Sequence, residues 1–159
     1  MVFVECNPDK YVIERISYTL PKNLIRHGGG KGNVIGLVNK TVKSIGIIDQ
    51  DPYGDQFQYK DINEKYSLIE TEGRSSLLMR NNDNTRKLIQ ISPDIEGWFV
   101  YKAEQNRISL GKYGLPNDRK KMHDIRNLQR KMGFQQFIDE LLKINDNEIN
   151  AIRKWINEM

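Results

Sequence analysis

Short apolar runs alternate with segments of helical spacing through the first half of the chain. Val2-Phe3-Val4 reads as a strand that starts almost at the first residue. Cys6-Asn7-Pro8-Asp9 reads as a turn that caps a helix running from Lys10 to about Ser17, since Pro8 cannot sit in a central strand and Asp9 is a ready N-cap. Pro21 opens a second short strand, Asn23 to Arg26, which ends in His27-Gly28-Gly29-Gly30-Lys31-Gly32-Asn33. From Val34 to Val42 the apolar residues Val34, Leu37, Val38 and Val42 recur at helical spacing. Ser44 to Ile48 is apolar nearly throughout, as a strand covered on both faces would be. Strand, helix, strand, glycine loop, helix, strand predicts an α/β fold, with a mainly parallel sheet flanked by helices.

The second half changes character. Tyr66 to Glu70, Leu77 to Arg80 and Lys87 to Ile91 read as further strands, with a turn at Asn81-Asn82-Asp83-Asn84. Ser92-Pro93-Asp94-Ile95-Glu96 reads as a helix start, with Ser92 as the cap, Pro93 in the first position and acids in the first turn. That helix carries Ile95, Trp98, Phe99 and Ala103. Gly111, Gly114 and Pro116 make a loop, and Arg119–Met132, Phe134–Leu142 and Glu148–Ile156 read as three helices, the last capped by Asn145 or Asp146. An α/β domain over 1–115 with a helical extension over 116–159 packed on it is expected.

With 159 residues the chain suits one domain with a small appendage. No apolar run approaches the roughly 20 residues that span a bilayer, and the first residues carry Glu5 and lack the basic flank of a signal peptide. A single cysteine, Cys6, excludes an internal disulfide and fits a reducing cytoplasm. The net charge is only +4, but the stretch from Lys102 to Lys131 is strongly basic and includes Lys120, Lys121 and Arg126. Such a block can hold a polyanion, or it can be a solvated helix face.

The candidate chemistry lies where the strands end. Side chains two apart in an extended chain point the same way, so Asp49 and Asp51 are expected to converge as the third strand runs out, before Pro52 and Gly54 turn the chain. Glu5 follows the first strand in the same manner, and ligands of open parallel sheets collect beyond the carboxyl ends of the strands. Three convergent carboxylates call for a positive partner and suit Mg²⁺ or Mn²⁺. His27 and His123 with Cys6 form no zinc spacing. The glycine run offers backbone N–H groups at a helix start, so Gly29, Gly30, Lys31 and His27 are candidate phosphate contacts, against a plain flexible turn. It is not a Walker A loop, because no Ser or Thr follows Lys31. Trp98 and Trp155 sit at core spacing. Asp55 and Asp61 read as solvated loop acids, and Tyr53 as either a surface residue or a base-stacking platform.

The pairing of Val4-Glu5-Cys6-Asn7-Pro8-Asp9 with Ile48-Asp49-Gln50-Asp51-Pro52-Tyr53-Gly54 resembles the TOPRIM pattern: a Glu closing the first strand, an acid a few residues on, and Asp-x-Asp closing a later strand with a Gly after it. The resemblance covers roughly residues 1–104, and Cys6 stands where the family usually has glycine. TOPRIM domains are the metal-binding domains of topoisomerases, bacterial primases, RNA-maturation nucleases and OLD-type nucleases. The resemblance implies a TOPRIM-like, Rossmann-like sheet and metal ligands at Glu5, Asp49 and Asp51, with Asp9 in support. Ser92 to Trp98 also looks like a segment of small stand-alone TOPRIM-like proteins, which adds Glu96 as a fourth acid with Asp94 behind it.

Three functions are expected on this reading. The first is a Mg²⁺- or Mn²⁺-dependent phosphoryl-transfer enzyme acting on DNA or RNA, with a nuclease as the leading case. Glu5, Asp49, Asp51 and Glu96 would serve the metal, Lys31 would neutralise the scissile phosphate and the basic block would track the strand. The second is a non-catalytic TOPRIM-like module working with a partner protein, such as an ATPase in phage defence. The third is a nucleotide- or polyphosphate-binding domain using the glycine loop.

Overall fold

The structure, a computed structural model, describes residues 1–51 and 56–159, with every side chain among them except those of 56–59. The turn expected at Pro52 and Gly54, Tyr53 and Asp55 lie outside the described residues. The elements run β1 (Val2–Val4), α1 (Asn7–Ile16), β2 (Ile25–His27), α2 (Lys31–Lys40), β3 (Ser44–Asp49), α3 (Gln56–Lys65), β4 (Tyr66–Glu72), β5 (Ser75–Arg80), β6 (Asp83–Ile91), α4 (Ile95–Gln105), α5 (Arg119–His123), α6 (Met132–Lys143) and α7 (Asn147–Asn157). They build an α/β fold around one six-stranded sheet in the order β2-β1-β3-β6-β5-β4. β2, β1, β3 and β6 are parallel, while β4, β5 and β6 form an antiparallel meander. No helix among the described residues is long and apolar enough to cross a membrane.

The apolar alternation of the parallel strands sorts side chains between two faces. Val2, Val4, Ile45, Ile47, Ile89 and Ile91 face a core shared with Val12, Ile13 and Ile16 of α1, Trp98 and Phe99 of α4, Phe134 and Phe137 of α6, and Ile152 and Trp155 of α7. Phe3, Ile48 and Leu88 face a smaller core with Val34, Ile35 and Val38 of α2 and Ile62 of α3. Both tryptophans are fully buried, as their spacing implied. α6 places Phe134, Phe137, Ile138 and Leu141 on one stripe, and the helices beyond residue 115 share the larger core with the sheet.

Gly46 lies between Phe3 and Leu88 in register and lets α2 close on the sheet. A Cβ there would stand 2.8 Å from Leu88 Cδ2 and 2.8 Å from Val34 Cγ1. Gly46→Ala is expected to destabilise the protein by roughly 1–3 kcal/mol, the usual effect of overpacking a close-packed core. A urea titration of the two proteins checks this; an unchanged midpoint would mean that α2 can lift off the sheet at little cost.

Several boundaries differ from the sequence expectation. α1 begins at Asn7 rather than Lys10, with Cys6 as its cap and Asp9 inside the first turn: Cys6 N and Cys6 Sγ both donate to the Asp9 carboxylate, at 2.9 and 3.0 Å. β2 is shifted to Ile25–His27 behind a 3-10 turn. α2 starts at Lys31, because Gly30, at φ 97°, takes a backbone shape open to glycine and ends the loop there. The stretch carrying Asp61 is helix α3 rather than loop, and Asp61 pairs with Lys65 one turn on. Asp94, not Ser92, caps α4; its Oδ1 accepts from Gly97 N at 2.8 Å, and the Ser92-Pro93 bond is cis. The long helix expected over 119–132 is broken into α5 and a 3-10 turn at Leu128–Arg130, with Asn127 left-handed at φ 52° between them. Asp146 does cap α7, accepting from Ile149 N at 3.0 Å.

Candidate functional site

Parallel pairing fixes where the acids gather. Val4 lies beside Ile47 and His27, and Asp49 beside Ile91, so β2, β1, β3 and β6 release their carboxyl ends along one rim. Glu5 leaves β1 there, Asp49 ends β3, and the chain leaving β6 delivers Asp94 and Glu96 at the start of α4. β2 hands on to the glycine loop and Lys31. Backbone bonds hold the rim together: Gln50 N donates to Ile91 O, Asp51 N to Pro93 O, Gly28 N to Val4 O and Gly30 N to Glu5 O.

Glu5, Lys31, Asp49, Asp51, Asp94, Glu96, Arg119, Lys120 and His123 line one cleft of about 530 Å³. Glu5 and Asp49 are in direct contact, with Asp49 N donating to Glu5 Oε1 at 2.7 Å, and Lys31 adds a backbone hydrogen bond to Glu5. Ile95 N, in the first turn of α4, donates to Asp49 Oδ1 at 3.0 Å. Asp51 reaches the cleft differently from the expected strand alternation. β3 stops at Asp49, and Asp51 takes a left-handed backbone at φ 46°, so a turn brings it round. Lys31 Nζ donates to Gln50 O at 3.1 Å between the two aspartates. On the far wall Arg119 pairs with Asp94, and His123 Nδ1 stands 3.4 Å from Glu96 Oε1.

The electrostatics of this rim are strained toward protonation. Burial, and then the charges of Asp9, Glu5, Glu96 and Asp94, raise the Asp49 carboxyl to about 9. Burial raises Asp9 to about 7, against the two bonds from Cys6. Glu5 and Glu96 are raised too, chiefly by burial. Desolvated carboxylates that repel one another are stabilised in their charged form by a cation placed among them. Oxygen donors of this kind fit a hard divalent ion such as Mg²⁺ or Mn²⁺. Among the described residues, no group of three acidic, histidine or cysteine side chains is drawn together closely enough to enclose one as it stands. Donor chemistry and charge therefore fit, and closing them around an ion calls for side-chain rotation.

The expected residues divide into four groups. Glu5, Lys31, Asp49, Asp51, Glu96 and Lys120 line the cleft. His27 and Gly30 line an adjoining hollow that shares Glu5, Asp49 and Glu96 with it. Asp9 is buried behind the rim with its oxygens on Cys6, and acts on Asp49 through charge alone. Gly29, Lys121 and Arg126 line neither space. Sequence reasoning passed over Arg119 and His123. Arg119 stood beside Lys120 in the basic block, and α5 sets His123 on the same helix, so periodicity within that block was the available signal. Compared with known proteins, the chain matches no family model, no curated protein and no solved structure.

Proposed function

We propose that the cleft is a divalent-metal-dependent phosphodiesterase site acting on nucleic acid, and that the protein is a nuclease. The observation that carries this reading is the gathering of Glu5, Asp49, Asp51, Asp94 and Glu96 in one cleft rimmed by Lys31, Arg119 and Lys120. Acids and bases in one cleft complement a cation and a phosphodiester together. The resemblance of the Glu5 and Asp49-x-Asp51 segments to TOPRIM domains points the same way.

In this reading Glu5, Asp49, Asp51 and Glu96 hold the ion. When bound, it supplies activation of water and neutralisation of charge on a phosphoryl oxygen. Lys31, fixed between the aspartates by its bond to Gln50 O, faces the scissile phosphate. Arg119 and Lys120, both in α5, hold a neighbouring phosphate and steer the strand in. His123, 3.4 Å from Glu96 Oε1, is the group that would protonate a departing oxygen.

The test is incubation of single- and double-stranded DNA and RNA with the protein in Mg²⁺, in Mn²⁺ and in EDTA. Cleavage is expected with either ion, none in EDTA, and none by Asp49→Ala. Cleavage that survives Asp49→Ala would end the assignment. A second readout is thermal: Mn²⁺ at about 100 times its Kd is expected to stabilise the fold by about 2.7 kcal/mol, seen as a raised Tm. The non-catalytic alternative, a TOPRIM-like module acting with a partner protein, is favoured by one observation. Glu5, Asp49 and Asp94 already accept hydrogen bonds within the protein. A Tm indifferent to Mn²⁺ would select it.

A further inference from the structure

We propose that the hollow beside the carboxylate cleft binds one unpaired nucleobase, with adenine preferred, so that the protein selects single-stranded over duplex nucleic acid. The proposal rests on the reading of the cleft as a site that acts on nucleic acid, and adds a base-recognition site to it.

The hollow has a volume of about 440 Å³, within the roughly 300–1,000 Å³ of small-molecule pockets. It shares Glu5, Asp49, Glu96 and His123 with the cleft, so a base seated in it leaves its own phosphate among the acids. Its chemistry differs from that of the cleft. Three carboxamides stand around it: Asn7 at the start of α1, and Asn127 and Gln129 after α5. Among the described residues the side chains of Asn7 and Asn127 are exposed and have no hydrogen-bond partner in the protein, and the side-chain oxygen of Gln129 is buried with no donor. A buried acceptor without a donor is a costly arrangement, and a turn of the Gln129 side chain toward the hollow would bring that oxygen within reach of a ligand N–H.

The apolar part of the lining comes from Pro8, Ile95, Ile125 and Leu128, and His27 and His123 line the hollow as well. A carboxamide carries donor and acceptor together and reads adenine through N6 and N7. Aliphatic faces and imidazole rings give the flat face of a base a dry surface. A base paired in a duplex presents neither its flat face nor all its edges, so only an unstacked one can fill the hollow. Apart from Asp49 at the end of β3, every lining residue that follows the glycine loop comes from the start of α4, from His123 at the end of α5 or from the segment after it. The pocket therefore exists only because that segment folds back over the end of β1.

Asparagine is also favoured at left-handed positions for backbone reasons alone, so the test must separate the amide from the turn. Asn127→Gly keeps the turn and removes its amide; Gln129→Leu removes a second without opening a void. Binding of short fluorescent oligonucleotides is measured in EDTA, where nothing is cut, with a urea midpoint confirming that each variant folds. The wild type is expected to bind single strands above a blunt duplex of equal length, and oligo-dA above oligo-dT and oligo-dC by about ten-fold. Both variants are expected to flatten the preference for dA while leaving the salt dependence, which reports phosphate contacts, unchanged. Equal binding of duplex and single strand, no binding at all, or variants that weaken every sequence alike with the dA preference intact would overturn the pocket. Base-selective binding without Mg²⁺-dependent cleavage would keep the pocket and remove the nuclease; cleavage without base preference would do the reverse.

Discussion

Asp49→Asn is expected to make the protein more stable at neutral pH and to abolish cleavage. The asparagine oxygen keeps the bond from Ile95 N, while the charge that burial and four acidic neighbours disfavour is gone. The sign follows from the direction of the shift. The Asp49 carboxyl is raised in the fold from 3.8 to about 9, so the folded state favours its protonated form. Below about pH 4 both folded and unfolded chains carry the proton and the residue costs nothing. As pH rises from there toward 9, the unfolded chain ionises freely and the folded one does not, so stability falls through that window. Asp9, raised to about 7, adds to the loss over its lower part. Asp49→Asn is therefore expected to gain on the order of 1–3 kcal/mol at pH 8 in EDTA and almost nothing at pH 4. Urea unfolding at the two pH values measures this. Saturating Mn²⁺ should shrink the gap by stabilising the wild type alone. A variant less stable than the wild type at pH 8 would show that the acids of this rim are comfortably solvated, and the argument for a cation would lose its physical basis.

Glu148→Ala is expected to be among the most damaging single changes in the molecule, and at a distance from the cleft. Glu148 sits at the start of α7 and is 2% exposed. Its Oε1 accepts from Trp98 Nε1 at 2.8 Å, from Ser75 Oγ at 2.7 Å and from Arg74 N at 3.0 Å. Its Oε2 pairs with Lys102 Nζ at 2.9 Å, and Lys102 also holds Asp146. Burial works against the Lys102 ammonium, but its bonds to the two acids outweigh it and hold its pKa above the ordinary lysine value. One carboxylate thus ties α7 to α4 and to the start of β5. Removing one partner of a buried ion pair leaves the other charge uncompensated and typically costs roughly 3–5 kcal/mol. Chemical denaturation is the measurement; a loss below about 1 kcal/mol would mean that water enters the gap and rescues Lys102. Gly73 is part of the same arrangement. It has φ 57°, and a Cβ there would stand 2.3 Å from Glu148 Oε2, so the β4–β5 turn can close on the carboxylate only through glycine.

The two variants separate two uses of buried charge. At Glu148 the charge is matched by Lys102 and by three donors, and the network fastens α7 to the sheet. At Asp49 it is crowded by other acids and, among the described residues, met by one backbone N–H, from Ile95. Crowding of that kind, in a cleft rather than a core, is where perturbed carboxylates concentrate at functional sites.

The chain's own pattern carried the α/β class, the strands β1, β3 and the end of β6, the three core helices α4, α6 and α7, and the nearness of Glu5 to Asp49. Each rests on local physics: an apolar run covered on both faces, a stripe at helical spacing, or an acid following a buried strand. The meander of β4, β5 and β6 was legible as strands but not as antiparallel, because pairing direction depends on where the chain returns and not on any residue's preference. Asp51 pointed to the right cleft for the wrong reason, since its left-handed turn is set by bonds to the β6 exit rather than by alternation along β3. Helix α3 escaped notice because its apolar face is short, and the break after His123 because Asn127 can end a helix or sit within one. What only the tertiary structure decided is the company each site residue keeps. Asp94 and Glu96 join Glu5 because β6 lies parallel beside β3, and Arg119, His123, Asn127 and Gln129 arrive because the segment after residue 115 folds back onto the rim. Those are contacts between residues far apart in the chain, and no local period encodes them.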